Sequence, residues 1–172
     1  MDCFVDDIIK AFDNLNLRKG EINGEGEWTI AIKKALIDVA EKNNLSVTCS
    51  GIKEPYKHNE NKEWLYDIIL FSWSKENNVF DEVYLVGESE WKNWRSWESY
   101  YEEIETDFLK MIFARSKVRL VVFEADGENY PYYKEWLINI IEKSNSCLKG
   151  DVYIFAIWHT EFDGFKVEKY IK

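Results

Sequence analysis

The chain has 172 residues, 46% of them hydrophobic and 31% charged, with 32 acids against 22 bases and a net charge of −10. Eight Trp, ten Tyr and ten Phe beside only two Pro and eight Gly exclude a disordered, low-complexity or collagenous chain. The length and the even composition predict one globular domain over residues 1–172, and the negative balance argues against indiscriminate phosphate binding.

The opening residues, MDCFVDDIIK, carry acids where a secretory leader carries bases, and no run approaches the roughly 18 apolar residues of a membrane-spanning helix. A cytoplasmic protein without a membrane partner is expected. Phe4, Val5, Ile8, Ile9, Phe12 and Leu15 recur at helical spacing and predict a short amphipathic helix within residues 1–20. The acidic Gly-rich stretch GEINGEGE lacks the Lys-Ser/Thr of a phosphate-binding loop and reads as a connection. Ile30, Ile32, Ala35, Leu36, Val39 and Ala40 mark a longer helix over 28–42, stopped by Asn43-Asn44. Residues 45–49 read as a short strand and GIKEPYKHNENKE as a polar connection.

Two segments rich in β-branched and aromatic residues follow, EWLYDIILFSW at 63–73 and DEVYLVGESEW at 81–91, with turn chemistry at Asn77-Asn78 between them. They predict an antiparallel hairpin. Tyr100, Tyr101, Ile104, Phe108, Met111 and Ile112 predict a helix over 97–115, and the nearly all-apolar VRLVVFEA at 118–125 a central strand covered on both faces. A helix opening at Pro131 and running to about Asn145, a buried strand at 151–158 and an edge strand at 165–171 complete the chain. The fold class is therefore α/β, a mixed sheet with helices on both faces.

Cys3, Cys49 and Cys147 are odd in number, far apart and without metal spacing, so they read as reduced thiols. His58 and His159 read as incidental. Trp91, Trp94 and Trp97 are expected to cap the core between strand and helix, with stacking on bases or a partner as the alternative.

A hairpin turning symmetrically about Asn77-Asn78 pairs residues whose numbers sum to 155, which sets Asp67 opposite Glu88. Period-2 alternation then adds Glu90 to the same face, at the rim of an apolar core. Carboxylates at about 5 Å raise one another's pKa and call for a cation, and oxygen ligands of this kind suit Mg²⁺ or Mn²⁺. A plain solvated strand face is the alternative.

In order, Glu27 ahead of helix 28–42, Asp67 in WLYDIIL, Glu88-Ser89-Glu90 in YLVGESEW, helix 97–115 and strand 118–125 resemble the PD-(D/E)XK restriction-endonuclease-like nucleases. The resemblance covers about residues 25–125 and implies an αβββαβ core, with 126–172 an additional helix and strands. It implies a metal-dependent phosphodiester hydrolase acting on DNA or RNA, with Asp67 and Glu88 on Mg²⁺ and the third position activating water. Glu27 would order the site or reach the metal through water. The family's usual lysine is here Glu90, and Lys92 or Lys110 could supply the missing cation. Many such nucleases are dimers, so a homodimer is a further expectation.

A second reading belongs to another class. Residues 76–108 hold ten acids against Lys92 and Arg95, and a catalytically silent member of the fold could use that surface on a basic protein partner, as an immunity or antitoxin-like protein does.

Overall fold

The computed structural model describes residues 1–15, 25–52, 59–60, 64–74, 76–92, 96–127, 129–159, 161 and 163–172. Helix α1 (Asp2–Asp13) buries Phe4, Val5, Ile8 and Phe12 on one face, as their spacing predicts. Helix α2 (Glu25–Lys42) begins three residues before Trp28, so the end of GEINGEGE is its first turn. Glu27 there suits the positive end of the helix dipole. At its far end Asn44 takes a left-handed conformation (φ 55°) and the Leu45 N–H closes on the Ala40 carbonyl at 2.9 Å. Asp7 of α1 ties the two helices together by accepting from Lys42 at 2.7 Å and from Asn43 at 3.2 Å.

The strands are β1 (Ser46–Cys49), β2 (Asn59–Glu60), β3 (Ile68–Ser74), β4 (Val79–Glu90), β5 (Val118–Ala125), β6 (Val152–His159) and β7 (Gly164–Ile171). They form one mixed sheet in the order β2-β1-β3-β4-β5-β6-β7. β1, β3 and β4 are successively antiparallel, β4, β5 and β6 are parallel, and β7 returns antiparallel to β6. Helices α3 (Trp97–Ile112) and α4 (Tyr130–Lys143) make the two parallel crossovers. Within 51–63, expected to be connection only, Asn59 and Glu60 pair in parallel with Val47 and Thr48.

Alternation along the central strands divides the core into two layers. Val118, Leu120 and Val122 of β5 join Ile154, Ala156 and Trp158 of β6 under α1 and α2. Val121 and Phe123 join Tyr153, Phe155 and Ile157 under α3 and α4. Burial on both faces explains why 118–125 and 152–159 read as continuous apolar runs.

The hairpin differs from its expected form in an instructive way. At the turn Ser74 pairs with Val79, a sum of 153, because the loop is centred one residue early, with Asn78 left-handed (φ 52°). Register shifts between Leu70 and Phe71 and between Ser72 and Trp73 then restore Ile68↔Gly87, the expected sum of 155. Strand β3 also starts at Ile68 rather than 63. Its neighbour β1 offers no residue beyond Cys49, which pairs with Ile68, so Trp64 and Leu65 stay 50% and 61% exposed. Among the described residues no helix is long and apolar enough to cross a membrane, and the three cysteines form no disulfide.

Candidate functional site

The segment leading into β3 and the carboxyl half of β4 meet below α3 in an open cleft of about 390 Å³. Thr29, Trp64, Leu65, Tyr66, Asp67, Glu88, Ser89, Glu90, Asp107 and Lys110 line it. It lies toward the carboxyl ends of parallel strands, where open α/β sheets bind ligands. Asp67 stands just ahead of β3, where its backbone N–H donates to Glu88 Oε2 at 3.3 Å. That contact holds Asp67 beside Glu88, one step past the last register pair, Ile68↔Gly87.

The two side chains then diverge. The Asp67 carboxylate turns toward α2, where Oδ2 accepts from the Ser89 backbone N–H and hydroxyl, both at 2.9 Å. Its Oδ1 lies 3.5 Å from the Lys33 ammonium, whose side chain is only 6% exposed. Glu88 faces α3 instead, where Oε1 contacts the Lys110 ammonium and Lys110 also pairs with Asp107 at 2.9 Å. The expected common face for Asp67, Glu88 and Glu90 is therefore a shared cleft in which each of the first two has its own lysine.

The electrostatics follow from this packing. Burial, with the nearby charges of Asp67 and Asp107, pushes the Glu88 carboxyl up to about 7 even though Lys110 opposes the shift. Partial burial disfavours the Lys110 ammonium, but its contacts with Glu88 and Asp107 outweigh that and raise its pKa. Burial raises the Tyr66 hydroxyl, which donates to the Lys110 carbonyl at 3.3 Å.

The other sequence candidates fall differently. Glu90 lines the cleft, and its carbonyl lies 3.0 Å from the buried Tyr100 hydroxyl, which also accepts from the Glu124 N–H at 2.7 Å. Glu27 is exposed in the first turn of α2 and does not line this cleft. The Lys92 ammonium stacks 4.3 Å from the Trp97 ring centre. That leaves Lys110 as the candidate lysine in the cleft.

Trp91 and Trp97 pack against opposite layers of the core. Trp91 packs on Trp28 under α2 and donates to Thr29 at 3.2 Å, whereas Trp97 stacks on Tyr101 across the sheet. Alternation across the strand end separates them. Trp94 and His58 lie outside the described residues. His159 is buried at the end of β6 against the Tyr130 ring.

Sequence reasoning missed Lys33, Ser89 and Asp107. Lys33 had a signal: with Leu36, Ile37 and Ala40 it completes the buried stripe of α2, and a lysine in such a stripe needs a charged neighbour.

Among the described residues no group of three or more His, Cys, Asp or Glu is arranged to hold a metal ion. Asp67 and Glu88 form a pair of oxygen donors, one of them nearly fully buried and each compensated by a lysine. That donor chemistry fits a hard divalent cation with waters in its remaining positions. No family model matches the chain, and no curated protein or solved structure matches it either.

Proposed function

We propose that the protein is a metal-dependent phosphodiester hydrolase acting on DNA or RNA, built on a restriction-endonuclease-like core of α2, β1, β3, β4, α3 and β5. The observation that carries this reading is the meeting of Asp67 and Glu88 in one open cleft beside Lys110. Asp67 and Glu88 would hold Mg²⁺ or Mn²⁺. When bound, the ion would polarise the phosphodiester and acidify the attacking water.

The chain's own residues divide the remaining work. Ser89 and Lys33 hold Asp67 in one orientation, and Glu90 stands at the motif position that usually carries lysine. Lys110 offers a positive charge from α3 to the phosphate that enters the cleft. Titration of Mn²⁺ into the wild type and into Asp67→Ala tests the reading. Saturable binding lost in the variant, with Mn²⁺-dependent cleavage of DNA or RNA by the wild type, supports it, and no binding by the wild type overturns it.

One observation favours a second reading. Both carboxylates already have lysine partners, and Glu98 and Glu102 expose negative charge along α3. A catalytically silent protein could use that helix face on a basic protein partner. Salt-sensitive capture of such a partner, unchanged by chelators and by Asp67→Ala, would support it.

A further inference from the structure

Two lysines approach the carboxylate pair, and they differ in their freedom to leave. Lys33 comes from the buried face of α2, packed with Ile32 and Leu36 against the sheet. Lys110 comes from the last turn of α3 at the wall of the open cleft, with its side chain 29% exposed. Glu88 is 7% exposed at the side chain. Its Oε1 is enclosed and makes no hydrogen bond among the described residues beyond its contact with that ammonium.

We propose that Lys110 is the resident counter-ion of the cleft, and that a divalent cation enters by displacing its ammonium from Glu88. The inference rests on the metal-site reading above and adds how that site is regulated. An ammonium and a dication drawn to one enclosed carboxylate oxygen repel each other in a partly desolvated cleft, so each weakens the other's hold on it. Asp107, three residues earlier on α3, keeps its own ion pair with Lys110. The displaced ammonium therefore stays at the cleft wall, where an incoming phosphate would meet it. Without metal, the same ammonium compensates the charge of Glu88 beside Asp67.

A site whose ligand must first open an internal ion pair binds more weakly by the fraction of open states, so removing the competitor tightens binding. Free Mn²⁺, followed by electron paramagnetic resonance, reports affinity without any assay of activity. Lys110→Met and Lys110→Gln are each expected to bind Mn²⁺ at least about fivefold more tightly than the wild type. Lys117→Met changes the net charge equally at a lysine paired with Glu82, outside the cleft, and is expected to leave affinity unchanged. In the wild type, saturating Mn²⁺ is expected to speed acylation of Lys110 by an amine-reactive ester, read by mass spectrometry; this needs no variant to fold.

Mn²⁺ bound equally or more weakly by folded Lys110 variants, or a Lys110 acylation rate unmoved by saturating Mn²⁺, overturns the counter-ion proposal and leaves the metal site standing. Equal tightening in Lys117→Met also overturns it, since net charge would then be the cause. No binding by the wild type overturns the metal site and the counter-ion together.

Discussion

Ser89 grips Asp67 twice, its backbone N–H and its hydroxyl both donating to Oδ2 at 2.9 Å. Neighbouring residues of β4 thus serve opposite faces of the sheet, Glu88 projecting toward α3 and Ser89 holding Asp67 toward α2. Removing the hydroxyl in Ser89→Ala leaves the backbone bond intact. A loss of about 2 kcal/mol in unfolding free energy is expected, because hydrogen bonds to charged groups are among the stronger ones. Urea unfolding measures the loss, and Mn²⁺ titration is expected to show weaker binding as Asp67 loses its fixed orientation.

Tyr100 joins α3 to the ends of two strands. Its hydroxyl, on a fully buried side chain, accepts from the Glu124 N–H and lies 3.0 and 3.1 Å from the carbonyls of Glu90 and Glu124. Tyr100→Phe keeps the ring and removes the hydroxyl contacts with Glu90 and Glu124. A cost of about 0.5–1.5 kcal/mol is expected in denaturant unfolding, the usual net worth of a hydrogen bond.

Arg119 seals the end of the helix that carries Lys110. Its Nε donates to the Met111 carbonyl at 3.2 Å and its Nη2 to the Ala114 carbonyl at 2.8 Å, with Asp151 at 3.4 Å from Nη1. Carbonyls at a helix end need such donors. Arg119→Met is expected to cost about 2–4 kcal/mol. Faster amide hydrogen exchange in the last turn of α3 would mark the lesion, and unchanged exchange there would refute it.

Glu168 on β7 gives the fold an acid-sensitive brace. Burial opposes its ionisation, but Lys134 at 2.8 Å, the Tyr130 hydroxyl and Lys166 at 3.1 Å together hold its carboxyl down at about 2. A depressed carboxyl stabilises the fold fully above its ordinary value of 4.5, and that contribution fades as the pH falls toward about 2. Glu168→Gln is therefore expected to melt below the wild type at pH 7. The gap should close between about pH 4.5 and 2. A gap independent of pH would contradict the assignment.

Local pattern made most of the elements legible. The 3.6-residue spacing in 2–13 and 97–112 and the doubly covered runs at 118–125 and 152–159 record burial, which periodicity encodes directly. The pairing of Asp67 with Glu88 was legible too, although the symmetrical turn assumed for it is not the turn the chain makes. Two register shifts within the paired strands bring the pair back into line, and the turn residues do not encode them.

By itself the sequence determined the mixed α/β class and the two carboxylates that share the cleft, because both follow from alternation and spacing along a single stretch of chain. Only the tertiary structure decided their counter-ions. Lys33 is 34 residues from Asp67 and Lys110 is 22 from Glu88, and the lysines reach them from opposite faces of the sheet. The need to neutralise charge that packing has removed from water is a property of the assembled layers, and no local pattern carries it.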